Sequence, residues 1–106
     1  MRSERFQNLV AQHPDNVMFR FSLGQALVEE GRAADALDHL RHCCAQKSDW
    51  MMARILLGKA LVALGRAPEA LPILEDALKL AIDQRHEAPE AELRALLADL
   101  KRARSA

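Results

Sequence analysis

The sequence predicts an all-α chain. Two helical hairpins are stacked in tandem, preceded by a half-repeat helix and followed by a capping helix. Three observations carry this. First, residues 17–50 laid over residues 51–84 without a gap give 14 identities in 34 positions, including Leu23/Leu57, Gly24/Gly58, Ala26/Ala60, Leu27/Leu61, Ala36/Ala70 and Leu40/Leu74. Unrelated segments of ordinary composition would share about 2–4. A fixed period of this length means stacked copies of one supersecondary unit. Second, half of the residues are hydrophobic but only 4% are aromatic. An aliphatic core rich in Leu and Ala favours helix, because these residues lose little on entering one. Third, four Gly and four Pro in 106 residues leave room only for short turns.

Each element follows from local pattern. Residues 3–12 read as a short helix with Phe6, Leu9 and Val10 on one side. His13-Pro14-Asp15-Asn16 ends it, since Pro14 disfavours helix at the residue before it and Asp15 or Asn16 is able to cap the next helix. Residues 16–30 form a helix that Gly31 closes in a left-handed turn. Residues 33–46 return, apolar at Ala36, Leu37, Leu40, Cys43 and Cys44. The second copy repeats the plan: Asp49 as cap, helix 50–64, Gly65 as turn and helix 67–83. Pro68 stands in the first turn of that last helix, where its missing N–H costs nothing. Pro72 lies one turn further in and removes a backbone bond. Pro89 starts a final helix over 89–103, with Leu93, Leu96, Leu97 and Leu100 in a stripe, acidic residues early and basic residues late, as the helix dipole favours. No third Leu-Gly pair follows, so this helix reads as a cap on the stack. The expectation is one domain over 1–106: residues 3–16 as N-terminal helix and turn, 17–50 as the first repeat, 51–84 as the second and 89–103 as the cap.

Two antiparallel helices that touch closely need small residues where they cross. Gly24 with Ala36, and Gly58 with Ala70, are expected to supply them. Helix pairs of this period with Leu-Gly, a Gly turn and Ala-Leu resemble tetratricopeptide repeats. Leu23-Gly24 and Leu57-Gly58 match that family's Leu-Gly pair, Ala36 and Ala70 its most constrained Ala, and Cys43 and Ala77 its second small position. Pro14 matches the closing Pro of a preceding half-repeat. The sequence departs from the pattern at Arg20 and Arg54, where Trp is common, and at Ser48 and Ile82, where the closing Pro is common. The resemblance implies a right-handed α-solenoid whose concave face is lined by the first helix of each pair and binds short segments of other proteins. One subset of the family clamps a C-terminal carboxylate with Lys, Asn and Arg. The matching places here hold Phe21, Gln25 and Leu56, so that clamp is absent.

Charge and composition exclude other classes. Fifteen basic residues balance fifteen acidic ones, which leaves no field to gather nucleic acid or an anionic membrane. No apolar run is long enough to span a bilayer, and residues 1–16 lack the apolar stretch of a secretory signal. The expected location is cytoplasmic, with Cys43 and Cys44 reduced. Eleven Arg against four Lys, with abundant Ala, lean toward a GC-rich bacterial genome. His39, His42 and Cys43 have the spacing of metal ligands on one helix face. The preferred reading makes Cys43 a small core residue with both His on the outer, wet side. No metal, cofactor or catalytic residue is expected. The basic run at Lys101, Arg102 and Arg104 reads as a dipole-matched helix end.

The candidate site is a groove. Met18, Phe21, Gln25 and Val28 lie along one stripe of the first helix of repeat one; Met52, Ile55, Lys59 and Val62 lie along its copy. Neither stripe faces its own hairpin partner. Two apolar stripes side by side exceed what an idle surface usually carries. The expected function is a non-catalytic protein–protein interaction module that takes a peptide or helix of a partner on this surface. The alternative is structural: weak homo-oligomerisation through the same surface.

Overall fold

The computed structural model describes residues 1–105, the last of them in backbone only. Ala106, the final residue of the expected domain, lies outside the described residues. The described chain is six helices with no strand: α1 (Arg2–Gln12), α2 (Val17–Glu29), α3 (Ala33–Gln46), α4 (Met51–Ala63), α5 (Ala67–Asp83) and α6 (Glu87–Ser105). Each helix packs on the next in sequence, and α2 also touches α4. The stack is elongated, with extents of 44 × 29 × 20 Å.

The core runs along the stack as two equivalent layers. Leu23, Leu27, Ala36 and Leu40 fill the first; Leu57, Leu61, Ala70 and Leu74 fill the second; Leu93 and Leu97 of α6 close the end. Each hairpin crosses where a first-helix glycine meets a second-helix leucine. A Cβ built on Gly24 would stand 2.7 Å from Leu40 Cδ2, and one on Gly58 would stand 2.4 Å from Leu74 Cδ2. Leu40 and Leu74 are thus the side chains nearest the two glycines, and Ala36 and Ala70 stand one turn earlier on the same helices. Those alanines are fully buried, as closely packed helices require.

Gly31 and Gly65 have φ of 77° and 74°, as the turns require. The Arg32 N–H closes back on the Leu27 carbonyl at 2.8 Å, and the Arg66 N–H on the Leu61 carbonyl at 2.8 Å. A third turn repeats this closure: the His86 N–H bonds the Ala81 carbonyl at 2.9 Å, with Arg85 at φ 57° in the glycine's place. The final helix consequently starts at Glu87, two residues before the Pro89 that marked its expected start. Pro89 falls in the first turn, where backbone N–H groups have no partner inside the helix, so it fits one turn position as well as another.

Capping differs between the copies. The Asn16 side chain accepts the Phe19 N–H at 3.1 Å. The equivalent residue is Trp50, which is the N-cap of α4 and makes no side-chain bond there. Asp49 stands one residue too early to cap, because α4 begins at Met51.

Candidate functional site

Five of the eight residues marked in the sequence meet in one cleft. Phe21 and Gln25 of α2, with Met52, Ile55, Leu56 and Lys59 of α4, line a hollow of about 180 Å³. Every lining residue belongs to the first helix of a repeat, so the cleft lies on the face where α2 and α4 run side by side. Met18, Val28 and Val62 lie outside the lining. Met18 and Met52, equivalent in the two repeats, are 52% and 49% exposed, far above the core leucines. Ile55 differs from its counterpart Phe21: it is only 5% exposed and belongs to the core, showing the cleft one edge.

Two contributors escaped the sequence reading. Leu56 replaces Ser22 of the first copy and adds apolar wall. Trp50 packs its ring on Phe21 with centroids 4.7 Å apart, and the Lys47 ammonium sits 5.4 Å from the Trp50 centroid. Trp50 is the only tryptophan in the chain. Its position just before the second repeat was a signal that residue spacing along the helix faces does not register.

The cleft has one charged residue, Lys59, which pairs with Glu92 of α6. That pair joins α6 to α4, while the body of α6 packs on α5. A larger hollow of about 270 Å³ lies at the α5–α6 seam, lined by Ala67, Pro68, Leu71, Leu100, Ala103 and Arg104. It joins the start of one helix to the end of another.

The repeated arginines staple each first helix to the turn before it. The Arg20 Nε–H donates to the Pro14 carbonyl at 3.1 Å, and the Arg54 Nε–H donates to the Ser48 carbonyl at 2.9 Å. Pro14 and Ser48 are themselves equivalent positions. Arg20 also lies 3.4 Å from His39 Nδ1. His39 is thus half-buried, not on the wet outer side as expected. Burial first, and the Arg20 charge second, hold its imidazole below the ordinary histidine range. Cys43 is fully buried, with its thiol donating to the Val17 carbonyl at 3.6 Å. Burial pushes that thiol up to about 11, which keeps it protonated and unreactive. Among the described residues no three His, Cys, Asp or Glu side chains gather as a metal site.

At the other end, the Ser3 N–H and Oγ–H donate to the Glu30 carboxylate at 2.9 and 2.6 Å. The side-chain bond from Ser3 chiefly holds Glu30 below the usual carboxylate range. Arg2 pairs with Glu29 beside it. These bonds fix α1 on the end of α2.

A sequence profile described as Tetratricopeptide repeat matches residues 2–67. The chain belongs to the tetratricopeptide repeat family. A protein of Bordetella parapertussis, solved in solution, superposes with a TM-score of 0.82 at 30% identity, over 97% of this chain and 90% of that one. A tetratricopeptide repeat domain protein of Salinibacter ruber shares the fold in a crystal structure, with TM-score 0.73 and 18% identity over 82% of this chain and 97% of that one. Its solution structure gives 0.71 and 20% over 82% and 88%. No curated protein matches the sequence. Tetratricopeptide repeats generally mediate protein–protein interaction and serve as scaffolds. No described helix is long and apolar enough to cross a membrane.

Proposed function

We propose that this chain is a non-catalytic interaction module that takes an apolar segment of a partner protein, as a peptide or a helix, into the cleft between α2 and α4. The observation that carries the reading is the composition of that cleft. Phe21, Met52 and Leu56 are large apolar side chains left partly open, and they come from corresponding helices of two repeats. A core would have buried them. Methionines at such a surface adapt to differently shaped partners. The hollow at the α5–α6 seam is larger, but it lies between the start of α5 and the end of α6 and does not join equivalent helices of the two repeats.

Placing a photo-crosslinking amino acid at Met52 in the native cell tests this. The expected result is a discrete crosslinked partner, abolished by Phe21→Glu in the same chain. The exposed Ile82, which lies on α5, serves as the control position. Equal yields from Met52 and Ile82, or products that are only dimers of this chain, would contradict the reading. The second of those outcomes would favour self-association instead.

A further inference from the structure

We infer that Lys59 recognises a carboxylate of the partner, and that Glu92 of α6 occupies this place in the unliganded chain. The inference rests on the cleft being the docking site.

Lys59 is the one charged group among the six residues that line the cleft. The other walls are apolar apart from the Gln25 amide. An occupant that fills this hollow with an aliphatic or aromatic side chain carries its next residues over the Lys59 ammonium. An acidic residue there gains a charge-assisted bond; a basic one meets repulsion. Lys59 already shows the geometry of such a contact, because its ammonium is paired with a carboxylate that arrives from another helix.

That internal pair is easily exchanged. The Lys59 and Glu92 side chains are 44% and 55% exposed, and exposed ion pairs contribute little because water screens them. Nothing else about Glu92 ties it to the cleft: α6 is held on α5 through Leu93 and Leu97, both buried. A partner carboxylate can therefore replace Glu92 at Lys59 without unseating α6. Glu92 acts as a built-in competitor, which lowers affinity for acidic partners and releases when one docks. The occupant so defined is a segment with one or two apolar anchors followed by Asp or Glu.

The test uses the full chain and two pools of end-blocked pentapeptides. Both pools carry two adjacent apolar residues drawn from Leu, Ile, Met and Phe. One pool follows them with two Asp, the other with two Asn. Emission of Trp50 is the readout, since its ring packs on the cleft wall at Phe21. The acidic pool should bind about 2–5-fold more tightly than the amide pool, the range an exposed ion pair supports. Glu92→Gln should tighten the acidic pool further by a similar factor and leave the amide pool unchanged. Lys59→Met should erase the discrimination while the melting temperature holds. Equal binding of both pools by the wild-type chain overturns the inference and leaves the cleft standing. So does a Glu92→Gln chain that shows no gain for the acidic pool. If neither pool perturbs Trp50 at all, the cleft reading itself fails.

Discussion

At the scale of single residues, the tightest constraint lies at the two hairpin crossings. A methyl on Gly58 would enter the van der Waals space of Leu74 Cγ at 2.5 Å, and one on Gly24 that of Leu40 Cγ at 2.9 Å. Cγ is not the free tip of the side chain, so the whole leucine has to shift within a filled layer. Alanine's better helix propensity returns up to about 1 kcal/mol. The net expectation is that Gly58→Ala destabilises by about 1–2 kcal/mol and Gly24→Ala by less, since overpacking costs about 1–3 kcal/mol; denaturant melts of both variants check the size and the order. His39 sets a pH dependence. Its folded-state value lies below the ordinary 6.5, so the unfolded chain takes up the proton first. Stability should therefore fall as pH drops below 6.5 toward the folded value. Asp38 opposes this shift and His42 adds to it. His39→Gln should flatten the fall between neutral pH and mild acid when melting temperature is followed against pH.

At the scale of elements, the three Schellman-like turns share one geometry and differ in one residue. Gly31 and Gly65 take the left-handed conformation freely, while Arg85 takes it with a side chain attached. A non-glycine residue there costs about 1–2 kcal/mol, partly offset by the extra freedom glycine has when unfolded. Arg85→Gly should therefore raise the melting temperature slightly or leave it unchanged; a clear fall would mean that the Arg85 side chain holds the turn. Helix positions were legible in the sequence wherever a glycine or a repeated leucine marked them. The spans of α3 and α5 follow directly from Gly31 and Gly65. The start of α6 was not legible, because an arginine in a glycine's role leaves no compositional mark and Pro89 fits several first-turn positions. The missing cap on α4 was hidden for a related reason: Asp49 is a good capping residue, but only the register of the fold shows it one place too early.

For the whole molecule, the duplicated period was enough to place the four helices of the two repeats and the family, because a stack of similar hairpins has few ways to bury its faces. The candidate cleft was legible in outline. Spacing along α2 and α4 picked out Phe21, Gln25, Met52, Ile55 and Lys59, which the fold brings into one cleft. Spacing could not tell that Ile55 would sink into the core while its counterpart Phe21 stayed half open against Trp50, nor that Glu92, from a helix outside the repeats, would reach Lys59. Equivalent positions in a repeat need not have equivalent burial, since each layer has different neighbours. Ile55→Glu should accordingly cost about 2–4 kcal/mol of stability by placing a charge in the core. Phe21→Glu should weaken docking with a smaller loss of stability, and thermal melts of the two variants side by side separate these cases.

The claim that the cleft between α2 and α4 is the docking surface meets its most direct test in amide NMR spectra of the full chain, titrated with the end-blocked peptide pool that carries two Asn after its apolar residues. The account predicts saturable shifts gathered at Phe21, Gln25, Met52, Leu56 and Lys59. Signals of residues 67–71 and 100–104 should stay in place. Saturable shifts centred on that α5–α6 seam, or no saturable shift at the cleft, would contradict it.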